Sequence, residues 1–217
     1  MRDLNLVIRM AIILLFFFCL SVFLLINISP LLYWLAIKWF NLLPKTHLSQ
    51  ISLMRCYLSM LNYLQNPWES HLRLLYFYSS VRGLRHFLDV KDLFLVNNFG
   101  ILIFGPLSVY ILNEADIKCE LWRLLIPLKM SLITLVIVFS IIMVDFQMTF
   151  IWFHRILFRN RDWVFYLNSD PVILALPLSF FVLCFIMGCL IYCSLVLICI
   201  YLIYQRIDAL SYFSELN

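Results

Sequence analysis

Two histidines with charged neighbours, His86 and His154, are the side chains best equipped for chemistry in this sequence. His86 lies within Ser80 to Phe94, where arginines, a lysine and the aspartates Asp89 and Asp92 stand directly before a long apolar run. If Arg85 to Phe94 is helical, His86 and Asp89 share one face, because residues three and four apart stack on a helix. A carboxylate one turn from an imidazole can fix its tautomer and raise its basicity. His154 is followed by Arg155 and preceded, about two and a half helical turns earlier, by Asp145. Ionisable groups at a bilayer boundary are costly to keep, which makes both stretches candidate functional sites. The plainer alternative is a pair of solvated turns flanking apolar helices.

The elements that must position these residues are membrane helices. Of 217 residues, 65% are hydrophobic and 13% charged, with a mean hydropathy of +0.98. A soluble domain carries about 25% charged residues, so the composition is that of a polytopic membrane protein. The net charge of +4 is spread along the chain. It suits contact with anionic lipid better than with nucleic acid, which needs a clustered basic face. Seven cysteines occur without a Cys-x-x-Cys pair, and most sit in apolar spans as small hydrophobes. No metal or cofactor is expected.

The fold class expected is an all-α, four-transmembrane-helix bundle forming one integral membrane domain over residues 1–217. Its spans are placed at about 6–28, 93–112, 130–153 and 172–204. The first span is too long for a signal peptide and is read as a retained helix ending at Ser29-Pro30. Tyr33, Trp34 and Trp39 then form an interfacial aromatic belt. Residues 31–92 and 154–170 are the extracytoplasmic segments. Within the first of these, Thr46 or Ser49 caps an amphipathic helix reaching about Leu64, whose apolar face is Ile51, Met54, Leu58, Leu61 and Leu64. His71 to Ser79 reads as extended or helical. Asn113 to Lys129 reads as a short loop or amphipathic turn. Asp145, inside the third span, is expected to face the bundle interior or a wet cleft. Asp170 or Ser169 caps the last helix, opened by Pro171. Four spans put both termini on one side, read as cytoplasmic. Both histidines then lie on the other side, where two imidazoles could act as general base and general acid in acyl transfer.

Several motifs resemble those of one family. They are Tyr63-Leu64, the run His86-Phe87-Leu88-Asp89-Val90-Lys91-Asp92-Leu93-Phe94, and Asp145-Phe146. Phe153-His154-Arg155-Ile156-Leu157-Phe158, Trp163, Asp170-Pro171-Val172-Ile173 and Leu176-Pro177 follow. In order, spacing and four-span layout they are similar to the lipoprotein intramolecular transacylases of bacterial membranes. Arg155 stands where another histidine or polar residue is expected, and Arg159 to Asp162 is unusually basic.

The resemblance implies a substrate and a reaction. A diacylglyceryl lipoprotein would have its sn-2 acyl chain moved to the α-amino group of its N-terminal cysteine. The product is an N-acyl, S-monoacylglyceryl lyso-lipoprotein. His86 and His154 would be catalytic, in either order of base and acid. Asp89, Asp92, Lys91, Asp145, Arg155 and Tyr63 would support them or bind substrate. Trp163 reads as an interfacial anchor. The enzyme would act as a monomer in the cytoplasmic membrane, with its site on the extracytoplasmic side. The alternatives are a non-enzymatic membrane adaptor or transporter subunit with a docking outer segment, and a haem or metal carrier using the two histidines. A serine hydrolase lacks its Gly-x-Ser-x-Gly elbow.

Overall fold

The computed structural model describes residues 2–215, with side chains described for residues 5–210. All regular structure among them is helical: α1 Arg2–Trp39, α2 Leu42–Thr46, α3 Gln50–Gln65, α4 Val81–Ile117, α5 Trp122–Val144, α6 Phe146–Leu157, the short 3-10 turn Pro171–Leu174, and α7 Leu178–Glu215. Stretches of α1, α4, α5 and α7 (Asn5–Trp39, Val81–Ile117, Trp122–Val144 and Leu178–Leu210) are long and apolar enough to cross a membrane. This is the four-helix membrane fold expected from composition.

The chain divides into two compact units, and α1, α4 and α7 each contribute a segment to both. The first comprises residues up to Leu24, Asn98–Ile141 and residues from Gly188 onward. Its core is largely aliphatic, with Met10, Ile13, Leu124, Leu128, Val196 and Ile200 buried together alongside Phe17. Gly105 permits close approach there, since a Cβ would lie 3.2 Å from the Phe16 ring. Polar ends are closed by ion pairs, Arg9 with Glu114 at 2.7 Å and Arg206 with Asp116 at 2.8 Å. Those pairs bring the start of α1, the end of α4 and the far part of α7 together, as the four-span topology requires.

The second unit, Leu25–Asn97 and Ile142–Met187, holds both histidines. Here α1 does not stop at Pro30, as its sequence suggests. Proline removes the N–H that would bond the carbonyl of Ile26, and Ser29 Oγ takes that carbonyl instead at 2.7 Å. The helix therefore continues through Tyr33, which is not an interfacial belt residue but 1% exposed. Its ring stacks on Tyr57 at 4.1 Å, and its hydroxyl donates to the Ala175 carbonyl at 3.0 Å. Trp34 and Trp39 do remain exposed.

Ser49 caps α3 by accepting from Ser52 N at 3.2 Å. The helix buries Leu53, Tyr57, Met60, Leu61 and Leu64, while Ile51 and Leu58 point outward. The periodicity located the helix but rotated its buried face. The choice is made by Tyr57, whose hydroxyl donates to Ser29 Oγ at 2.7 Å. Residues 71–79 form neither strand nor helix.

Three boundaries also differ from expectation. The span placed at 130–153 is broken between α5 and α6 at Asp145. Most of the expected loop from Asn113 to Lys129 is helical, within α4 and α5. The last span, placed from 172, begins as α7 only at Leu178, after the short 3-10 turn and Pro177.

Candidate active site

α4 carries His86 in its second turn and α6 carries His154 in its last. Each residue is only 8% exposed, and the ring centroids lie 5.8 Å apart at an angle of 43°. Residues 68 positions apart in sequence thus form one pair. Aromatic rings wall it. Phe158 stands edge-on to His86 at 4.9 Å, and Phe165 does so at 5.5 Å. Phe150 and Trp163 lie against His154 at 4.2 Å and 5.1 Å. Trp163 is therefore part of the wall of the pair and half-buried.

The two imidazoles have different polar surroundings. His154 Nδ1 lies 2.7 Å from the Phe150 carbonyl oxygen. A carbonyl only accepts, so Nδ1 must carry the proton, and in the neutral ring Nε2 keeps its lone pair. Burial lowers the His154 pKa from its ordinary value, and the carbonyl contact opposes this only in part. The ring is consequently a neutral base near pH 7. His86 Nδ1 is buried and has no hydrogen-bond partner. An unpaired buried polar atom costs about 1–3 kcal/mol, and such atoms call for a functional explanation.

Asp89 does not hold His86 Nδ1, as the one-turn spacing suggests. Its carboxylate accepts from Asn160 Nδ2 at 2.9 Å and acts on the imidazole only through space, as does Asp162. Asp145 is not a buried partner of His154 either. It is exposed and caps α6, accepting from Met148 N at 2.9 Å. Lys91 is buried; its ammonium donates to the Glu69 carbonyl and lies 4.6 Å from the centre of the buried Tyr63 ring. Burial, then the charge of Asp92, raises the Tyr63 pKa. Asp92 itself is exposed. Arg155 is exposed, with its guanidinium 5.6 Å from the Trp152 ring.

A family model described as lipoprotein intramolecular transacylase Lit matches residues 7–181. The chain belongs to that family. As a member it is an acyltransferase of the membrane, a lipoprotein intramolecular transacylase. Its fold is similar to the solved structure of the membrane-integral Lit from Bacillus cereus, at 23% identity, 97% coverage of both chains and a TM-score of 0.86. Two variants of that protein, with a histidine changed to arginine or to alanine, also match. The arginine variant aligns at 22% identity over 97% of this chain and 93% of its own, with a TM-score of 0.81. For the alanine variant the values are 22%, 97%, 95% and 0.83. No curated protein sequence matches the chain.

The transacylase also contains positioning groups that sequence reasoning missed. Asp170, 2% exposed, does not cap the helix that follows it. Its carboxylate accepts from Ser80 N at 2.8 Å, Ser80 Oγ at 2.9 Å, Ser79 Oγ at 3.1 Å and Ser169 Oγ at 2.6 Å. It thus closes the start of α4, where backbone N–H groups lack helical partners. Burial works against this carboxylate, but the Ser169, Ser80 and Ser79 donors outweigh it and hold its pKa below the ordinary value. Asp162 pairs with Arg82 at 3.1 Å and Arg85 at 3.5 Å. Together with Asn160 on Asp89, these contacts fasten the loop after α6 to the first turns of α4. No spacing rule reveals a partner 90 residues away; the clustering of Asp, Ser and Arg at both places was the only signal.

Proposed function

We propose that this transacylase moves the sn-2 acyl chain of a diacylglyceryl lipoprotein to the α-amino group of its N-terminal cysteine. The observation that carries the reading is the pair of buried imidazoles, 5.8 Å between centroids, with one Nδ1 committed to a backbone carbonyl. That asymmetry favours His154 as the base and His86 as the donor, one of the two orders left open by the sequence.

The reaction is ester aminolysis within one molecule. An α-ammonium has a pKa of about 7.7–8.0, so the attacking amine must first be neutral. It adds to the sn-2 ester carbonyl while His154 Nε2 takes the proton released as the C–N bond forms. An N–H of His86 steadies the tetrahedral oxyanion. Collapse breaks the bond to the glyceryl oxygen, which takes the proton back from His154, leaving an amide and a free sn-2 hydroxyl. Holding amine and ester together supplies several kcal/mol of the acceleration, about 7–11 at the upper limit. The aromatic wall excludes water, which otherwise competes as nucleophile.

Both rings come from one chain, so a monomer suffices. In this reading the site faces the extracytoplasmic side of the cytoplasmic membrane and both termini lie inside; four candidate spans support termini on one side. Lys91, held against Tyr63, and Asp92 support α4 or meet the substrate backbone. A reporter lipoprotein co-expressed with His86→Ala or His154→Ala, and read by mass spectrometry of its N-terminus, tests the roles. Loss of the lyso form is expected; full conversion by either variant would remove that histidine from the mechanism.

A further inference from the structure

Near the histidine pair is a cavity of about 720 Å³, lined by Arg82, Arg155, Arg159 and Arg161 together with Phe158 and Trp163, two of the rings that touch the imidazoles. Nothing in the acyl-transfer chemistry uses four arginines, because a diacylglyceryl group carries no charge. Asp162, the carboxylate within this stretch of loop, is already shared by Arg82 and Arg85. Arg155, Arg159 and Arg161 have no carboxylate partner among the described residues. The cavity therefore presents unbalanced, planar donors suited to an oxyanion with several acceptor oxygens.

The helix beside the cavity indicates what carries that oxyanion. On α6, Trp152, Phe153, Ile156 and Leu157 are exposed, and Arg155 emerges among them over the Trp152 ring. The loop adds Tyr166 and Leu167, also exposed. In a membrane-integral chain, such an apolar and aromatic surface contacts lipid at headgroup depth. Arginines rising from it into a cavity meet the phosphate of a phospholipid, with the acyl chains lying along the apolar face. An acidic peptide would use the arginines but leave that face bare.

We propose that this cavity binds the phosphodiester headgroup of an anionic phospholipid, seated against Phe158 and Trp163, which also touch the histidines. The inference needs only the arginine geometry and membrane embedding, not the acyl-transfer reading.

Purified full-length protein in detergent can be titrated with dioctanoyl phosphatidylglycerol and followed by native mass spectrometry. Dioctanoyl phosphatidylcholine, dioctanoylglycerol, inorganic phosphate and an aspartate-rich peptide serve as comparison ligands. Phosphatidylglycerol should bind more tightly than each of them. Arg159→Gln with Arg161→Gln should weaken it by about tenfold or more while leaving dioctanoylglycerol unchanged. Both arginines are exposed loop residues, and an unchanged Tm would show that the fold survives. Equal binding of the neutral lipid, or no effect of the double variant, would overturn the proposal. So would tighter binding of free phosphate, which marks a soluble-anion site, or of the peptide, which marks a protein-docking site.

Discussion

The two units of the chain treat polar groups in opposite ways. In the first, charges meet charges: Arg9 with Glu114, Arg123 with Glu120 at 3.2 Å and Arg206 with Asp116. The charges leave little capacity over, although the Ser108 hydroxyl is buried there without a partner, and the core beneath is largely aliphatic. In the second, two imidazoles are buried among aromatic rings without a carboxylate hydrogen-bonded to either, and an arginine cavity exceeds its local acids. Satisfied polar groups there, such as Asp170 with its serines, hold the backbone that presents the unsatisfied ones. Paired charges mark scaffold; unpaired imidazole and guanidinium groups mark chemistry.

That contrast can be broken most forcefully at the histidines. His154→Ala should reduce the rate of N-acylation by about 10²–10⁴-fold, the range for losing a general base. The loss should fall on kcat with no matching fall in Tm. A conservative His154→Gln should be no better, since it restores shape but not basicity.

Next come the groups that hold α4 in place. A Cβ on Gly83 would lie 2.3 Å from Asp170 Oδ1 and 2.8 Å from Ser79 Oγ, and that carboxylate cannot yield because four donors hold it. Gly83→Ala should cost about 1–3 kcal/mol through overpacking, read as a lower Tm in detergent with reduced activity. Asp170→Asn should act in the same direction, because an amide cannot accept all the bonds that the carboxylate does.

The pH profile sharpens the comparison further. The His154 pKa is lowered by burial, so its neutral, basic form persists below the ordinary value of about 6.5. Between about pH 6.5 and 7.5, log kcat/KM should rise with a slope near one, set by the substrate ammonium alone. A second ionisation should steepen the slope only at lower pH. The same shift means that folding excludes a proton, so stability falls as pH drops through the ordinary histidine range. Steepening already above pH 6.5 would contradict a depressed base.

The smallest effect belongs to the first unit. Arg206→Gln removes an exposed ion pair with Asp116, of a kind that contributes little. No resolvable change in Tm or rate is expected. A large one would show that paired charges there do more than close helix ends.

Much of this was legible in the sequence. Apolar runs gave four helices, and an even number of crossings put His86 and His154 on one membrane face. Their pairing followed from motif order and family resemblance more than from any local rule. What misled was the reading of carboxylates by proximity along the chain. Asp89 stands one turn from His86 but turns to Asn160, and Asp145 sits in an apolar stretch because it interrupts two helices. Asp170 precedes a proline yet serves a helix start 90 positions earlier. Spacing fixes which residues share a helix face, whereas long-range hydrogen bonds decide where a short side chain points. Pro30 failed as a stop signal for the same reason: Ser29 repaired the broken bond locally.

The most direct measurement follows the acyl chain itself. A synthetic diacylglyceryl-cysteine peptide, isotopically labelled only in its sn-2 chain, is given to the purified protein and to His86→Ala and His154→Ala variants under single-turnover conditions. Tandem mass spectrometry then locates the label. With the unaltered protein the label should arrive on the α-amino nitrogen of the same peptide molecule, and with either variant it should stay on the glyceryl group. Label on the nitrogen at undiminished rate in either variant, or an unlabelled N-acyl product from the unaltered protein, would contradict the paired-imidazole mechanism.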